Sequence, residues 1–423
     1  MKSYINVMHD IKSDVTRKLL NFSYSTILVL ALAFFGVKWI PIANFGGRII
    51  EISNFIVILT IILSPLVFIQ RFKVYTIYAA LLILYSVLAF KFFYDGNSRG
   101  VNLVIMSFLY AISAFVVSNV KVDNDSQLFR VVVLSYSAFI FVFFYSSFIA
   151  GFNPIVEILG FVTSGNRSYF LYVFLRSTFN SFVSSSEDEY VSSIVNIVSS
   201  MFTIYFFLSV YLYSRVVKRY QKLLLMSIIG FSFIMSMGLF STSAFLSYVV
   251  FIASFLVLSK EKKSLTYIIL LSGSVVIFIA STGYLAEMIV YDQGSRDSRI
   301  AQYLFAIGEF GSNFFFGPGL LILDGYVVHN ILLFSTSAGV FGLLPALGIY
   351  VLLFSKIRVV LKERRLGSLN DLELSSLIAL ISIFIVKVSF GGGGGLPESS
   401  SFLALALFFV LSRHSFSSKI AGN

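Results

Sequence analysis

Between two strongly apolar runs, the stretch from Tyr291 to Asn330 gathers Arg296 and Arg299, the carboxylates Asp292, Asp297, Glu309 and Asp324, a Gly317-Pro318-Gly319 break and His329. A guanidinium is a planar fork of donors suited to bidentate contact with phosphate or carboxylate. Arg296 and Arg299 are three apart, so a helix beginning there puts both on one face. An imidazole of ordinary basicity can take a proton from a hydroxyl nucleophile or donate to an anionic oxygen. Each residue also has a plainer role. The arginines can pair with nearby carboxylates or lipid headgroups, and a lone histidine at a helix start is more often a satisfied polar residue than a catalyst. One histidine without clustered partners does not make a zinc site.

The segment that must position these groups is IAQYLFAIGEFGSNFFF. Its apolar spacing predicts a helix lying on a membrane, with Gln302, Tyr303 and Glu309 on the polar side. Gly317-Pro318-Gly319 breaks it, because proline removes a donor and glycine permits a sharp turn. The chain then re-enters at His329 and Asn330, the mouth of the next apolar run.

The whole chain explains why a membrane is expected. It is 58% hydrophobic and 12% charged, with 48 Phe and 23 Tyr in 423 residues and a mean hydropathy of +0.92, a balance that no soluble domain surface tolerates. The apolar runs recur at roughly 20 residues without strict alternation, which implies helices rather than a barrel. An all-α polytopic membrane protein follows, one integral membrane domain over 1–423, with about 12 transmembrane helices. The charged first residues argue against a cleavable signal peptide. Cysteine is absent, which removes thiol chemistry. The net charge of +11 reflects the basic bias of cytoplasmic segments and gives no reason to invoke nucleic acid.

Clusters such as Arg17-Lys18, Lys218-Arg219, Lys262-Lys263 and Arg364-Arg365 mark cytoplasmic turns, which puts both termini inside. Spans are expected at about Asn21 to Ile40, Ile49 to Ile69, Val74 to Phe92, Val101 to Val120, Leu128 to Ala150, Val191 to Tyr213, Leu223 to Leu239, Ser241 to Leu258, Leu265 to Gly283, His329 to Phe354, Leu372 to Phe390 and a short Ser401 to Leu411. Two large outer loops remain, 151–190 and 284–328, in which short amphipathic helices are expected. Arg167 and Arg176 fall in the first, Arg296 and Arg299 in the second. Basic residues there run against the insertion bias. Lys387 sits just inside the outer end of a span, where an ionisable group faces a cavity or snorkels. GGGGGLPESS reads as an outer turn, and His9 and His414 as residues of cytoplasmic tails.

The outer-loop arginines, the amphipathic segment, Gly317 and Gly319, then His329 and Asn330 opening a span followed by Gly339, Gly342 and Leu343, resemble the O-antigen ligase/polymerase superfamily of bacterial envelope glycosyltransferases. The wider layout is most similar to the Wzy-type O-antigen polymerases, although Tyr303 stands where those commonly carry tryptophan after the arginine. The resemblance implies a GT-C-like fold in the bacterial inner membrane and the periplasmic transfer of a glycan from undecaprenyl pyrophosphate to a sugar hydroxyl, without metal or other cofactor. Implied partners are the undecaprenyl-pyrophosphate-linked glycan and membrane lipids, with a chain-length regulator left open. Catalytic roles would fall to Arg296, Arg299 and His329, and substrate contacts to Arg167, Arg176, Tyr303, Asn330 and the carboxylates Asp297, Glu309 and Glu398. The alternatives are an O-antigen ligase, which passes the chain to the lipid A core, and a polytopic transporter.

Overall fold

A computed structural model of the chain describes residues 23–37, 41–45, 48–68, 73, 75–149, 188–238, 242–258, 301–323, 326–327, 330–365, 369–390 and 399–420. Up to residue 258 these form helices α1 (Ser23–Phe34), α2 (Ile52–Ile62), α3 (Ser64–Phe68), α4 (Thr76–Tyr94), α5 (Ser98–Ser118), α6 (Asp125–Ile149), α7 (Asp188–Tyr213), α8 (Arg219–Gly238) and α9 (Thr242–Leu258). A second group comprises α10 (301–312), α11 (Ile331–Ser335), α12 (Gly339–Arg365), α13 (Asp371–Phe390) and α14 (Ser399–Ile420). Seven helical segments among the described residues are long and apolar enough to cross a membrane.

Asparagine starts several of these helices, as its side-chain oxygen satisfies an otherwise orphan N–H of the first turn. Asn97 caps α5 through Gly100 N at 2.9 Å, Asn124 receives Gln127 N at 2.8 Å at the start of α6, and Asn370 receives Glu373 N at 2.8 Å at the start of α13. Helix α7 is the axis of the bundle. Its apolar window is 89% buried, against 33% for that of α6, and α6, α8, α9, α13 and α14 pack around it. Edge-to-face rings line these contacts, with centroids 5.2 Å apart for Phe139 and Phe202 and 4.9 Å for Phe206 and Tyr248, the arrangement that the ring quadrupole favours. Outward, Phe341, Leu344, Leu347, Val351 and Phe354 of α12 form an exposed apolar stripe at helical spacing, as a lipid-facing surface requires.

Four features depart from the sequence reading. The loop expected around Arg48 is an antiparallel hairpin, β1 (Pro41–Phe45) with β2 (Arg48–Glu51). The span expected from His329 to Phe354 is broken, because α11 stops, a 3₁₀ turn spans Thr336–Ala338 and α12 begins at Gly339. The helix that carries the last expected span does not end near Leu411, and the expected C-terminal tail is a continuation of α14 as far as Ile420. His414 is therefore not in a tail: it is 3% exposed, held by Asp125 and Val122. The span expected over Leu265 to Gly283, nearly all of the loop 151–190 and the first part, 284–300, of the loop 284–328 lie outside the described residues.

Contacts between helix termini tell the two ends of the bundle apart: the C-terminal turns of α13 meet α11 and the N-terminal half of α7, and the start of α6 meets the ends of α7 and α14. One carries the α4–α5 turn, α10, α11 and the C-terminus of α13. The other carries the start of α6, the end of α7 and the end of α14.

Candidate functional site

The candidate site belongs to the first of these ends. Among its expected residues, Tyr303, Glu309 and Asn330 are described; Arg167, Arg176, Arg296, Asp297, Arg299, His329 and Glu398 lie outside the described residues.

Asn330 caps α11. Its Oδ1 accepts from Leu332 N at 2.8 Å and Leu333 N at 3.3 Å, while its Nδ2 donates to the Ser389 carbonyl near the end of α13 at 2.8 Å. The amide is thus committed at both ends, which gives Asn330 a positioning role: it fixes the start of the span immediately after His329 in sequence. Ser389 is also bonded by its hydroxyl to Tyr350 of α12 at 2.8 Å. Asn330 is therefore tied to Ser389 and, through it, to Tyr350, both of which the sequence reading missed because they sit within apolar runs.

Helix α10 lies differently from expectation. Gln302, predicted on the polar side, is 2% exposed, as is Leu321, and Ala306 is fully buried. Leu304 and Ile307 are exposed at 67% and 57%. The outward face of α10 is the apolar one, while Tyr303 and Glu309 are half-buried. The aromatic run continues this face, with Phe315 and Phe316 exposed and the Phe316 ring 6.5 Å from that of Phe341.

The glycines of the motif form one interlock. After α10 the chain turns, Gly317 N bonding to Asn313 O at 2.8 Å, and lies against the break between α11 and α12. There Gly319 N donates to Ser337 O at 3.1 Å and Val340 N to Phe314 O at 2.9 Å. Gly317 and Gly339 take φ of +73° and +63°, the left-handed region that a Cβ penalises. A Cβ on Gly317 would overlap Ser337 O and Gly339 N, and one on Gly339 would overlap Phe315 O. Only bare backbone brings these strands of chain so close, and the hydrogen bonds across the contact satisfy groups that the broken helix leaves open. Irregular backbone at membrane depth is stable only under that condition.

The α4–α5 turn makes a further wall. Asp95 Oδ2 lies 2.8 Å from where a Gly319 Cβ would stand, and Asp95 Oδ1 pairs with Lys91 Nζ at 2.9 Å. That the Asp95 charge stands against Gly319 is visible only in the fold. Lys387 is 2% exposed and donates to Asn196 O of α7 at 3.3 Å, so it faces the bundle axis.

The class defined by this fold and composition is a multi-pass α-helical membrane protein. Comparison with models of known protein families finds no match, and comparison with curated proteins finds none.

Proposed function

We propose that the chain is a polymerase of undecaprenyl-pyrophosphate-linked oligosaccharides, working at the periplasmic face of the bacterial inner membrane. The observation that supports this reading is the glycine interlock. Gly317, Gly319, Gly339 and Asn330, positions on which the resemblance rests, belong to one packed unit, which ties the segment following Arg296 and Arg299 to the span that follows His329. The apolar outward face of α10 and the Phe315-Phe316 edge suit a donor whose tail stays in the bilayer while its head is processed.

In this mechanism the acceptor hydroxyl attacks the anomeric carbon of the donor. The new glycosidic C–O bond forms as the bond to the pyrophosphate oxygen breaks, and undecaprenyl pyrophosphate leaves. Arg296 and Arg299 stabilise the charge gathering on the departing oxygen, as preorganised guanidinium groups can do. Arg167 or Arg176 reaches in from the first loop. His329 takes the hydroxyl proton, with Asp297, Glu309 and Glu398 as carboxylates for sugar contact. Orienting the hydroxyl at the anomeric carbon lowers the barrier further.

Replacing Arg299 or His329 by Ala is expected to abolish polymer in cells while the protein still accumulates in the membrane. Normal chain length in both variants, measured on extracted polysaccharide, would remove these residues from the mechanism.

A further inference from the structure

At the end of the bundle opposite the glycine interlock, one set of charges is closed and another is open. The closed set centres on Arg215, just past α7, which donates from Nη1 to Asp125 Oδ1 of α6 at 3.2 Å and from Nε to Glu373 Oε1 of α13 at 3.1 Å. His414 Nε2 of α14 lies 2.7 Å from the same Asp125 oxygen. The open set is Arg413 of α14 and Lys73, just before α4. Neither forms an ion pair with a carboxylate among the described residues. Asp123, in the α5–α6 connection, pairs with Lys121 at 3.0 Å.

These two open cations share one ring. Lys73 Nζ and Arg413 Cζ each lie 5.8 Å from the ring centroid of Tyr75, a residue that is 5% exposed. That ring packs 4.1 Å from Phe409 of α14 and 6.3 Å from Tyr78, and Tyr78 lies 5.5 Å from Phe115 of α5. The end of α5 holds both cations in place. Asn119 Oδ1 accepts from Lys73 N at 3.1 Å, while the Ser118 and Val120 carbonyls accept from Arg413 Nη2.

A cation at the last carbonyls of a helix is favourable in itself, and this contact accounts for Nη2. It leaves the rest of the cluster unexplained. Arg413 Nε, the Tyr75 hydroxyl and the Tyr78 hydroxyl are all buried atoms with no hydrogen-bond partner, and each costs free energy until a partner supplies the missing bond. Arg413 also keeps its charge at any physiological pH, and a charge drawn out of water without a counter-charge is costlier still. A water molecule would complete some of these bonds but leave the charge. An oxyanion accepts several hydrogen bonds and neutralises the charge at once.

The position of the cluster narrows the choice of anion. Lys73 is exposed, and Tyr75 immediately precedes the apolar run of α4, so the cluster stands where that span leaves the bilayer, level with lipid headgroups. Basic pockets between transmembrane helices bind phosphate-bearing headgroups at this depth. We propose that Arg413, Lys73, Tyr75 and Tyr78 form a binding site for a phosphate group, carried by an anionic phospholipid of the leaflet at that end of the bundle. The bound phosphate joins α14 to the start of α4, a contact that the protein's own side chains leave incomplete.

The test is the thermal unfolding midpoint of the purified full-length protein in an uncharged detergent, alone and with phosphatidylglycerol, phosphatidylcholine or inorganic phosphate. Phosphatidylglycerol at about a hundredfold above its dissociation constant is expected to raise the midpoint by about 3 °C. Phosphatidylcholine, whose choline offsets its phosphate, should give less than half of that rise. Arg413→Gln should abolish it, and Lys218→Gln, which removes a lysine over the exposed Tyr220 ring, should keep it whole. Should Arg413→Gln not fold, Tyr75→Phe serves. Its missing hydroxyl has no protein partner, so the lipid-free midpoint should hold or rise while the lipid-dependent gain falls by at least half. An equal rise with inorganic phosphate alone, lost in the same variants, would support the phosphate site and overturn the lipid as its source. No rise with any of the three probes, or a full rise in both Arg413→Gln and Tyr75→Phe, would overturn the proposal.

Discussion

The two ends of this bundle are held by opposite means. At one, Gly317 and Gly339 let backbone lie on backbone, and the bonds that close the contact are neutral N–H to carbonyl pairs. At the other, the Arg215 cation meets the carboxylates Asp125 and Glu373, and His414 bonds to Asp125, all from helices far apart in sequence. A backbone interlock fixes shape: it sets where α11 gives way to α12 and how α10 lies, and it has no side chain that could be repacked. A charged junction fixes attachment, binding helix ends while leaving the surface around them free. Damage to the first should therefore alter what the site does, and damage to the second whether the helices stay together.

The largest expected effect is at the junction. Arg215→Met leaves the buried Glu373 and the partly exposed Asp125 without their shared cation, and breaking the buried Arg215–Glu373 pair costs about 3–5 kcal/mol. The check is unfolding in detergent, read with the amount of protein in the membrane. Next comes Gly339→Ala, which forces a Cβ into the left-handed region and against Phe315 O, a strain of about 1–3 kcal/mol. Polymer should fall sharply here while the protein still accumulates, measured by polysaccharide length beside membrane abundance. If this variant destabilises the whole bundle as strongly as Arg215→Met, the division between shape and attachment fails.

Asn330→Ala removes the cap of α11 at about 1 kcal/mol. Asn330→Asp keeps an acceptor for Leu332 N but loses the donor to Ser389. Activity that is restored in the aspartate variant would assign the effect to the cap, and activity still lost would assign it to the tie between α11 and α13. The smallest effect is expected for Lys91→Met. Its partner Asp95 is partly exposed, and such surface pairs contribute about 0–1 kcal/mol. A shift beyond that range would mean that Asp95 holds the Gly319 turn in place.

Most of the spans were legible in the sequence, because a run of apolar residues between charges is a local signal. The starts of α4, α5, α6 and α13 lie close to where the apolar runs begin, and α8 ends at Gly238, beside the expected end of its run at Leu239. What stayed hidden depends on distant partners. His414 follows an apolar run in a segment that reads as a tail, yet it is buried and its partners Val122 and Asp125 lie far back in the chain. Gln302 looked like the wet face of a helix, yet the α10 face that carries it turns inward and leaves Leu304 and Ile307 outside. The glycines of the motif were visible as breaks. That Gly317 and Gly339 break against each other was not, since the sequence between them gives no sign of the return.

The central claim is that the chain extends a lipid-linked glycan by itself. Purified protein incubated with undecaprenyl-pyrophosphate-linked repeat units, and no lipid A core, tests it most directly. A ladder of longer lipid-linked glycans is the expected result, absent for Arg299→Ala; no extension until a core acceptor is added would contradict the account and assign the chain to ligation.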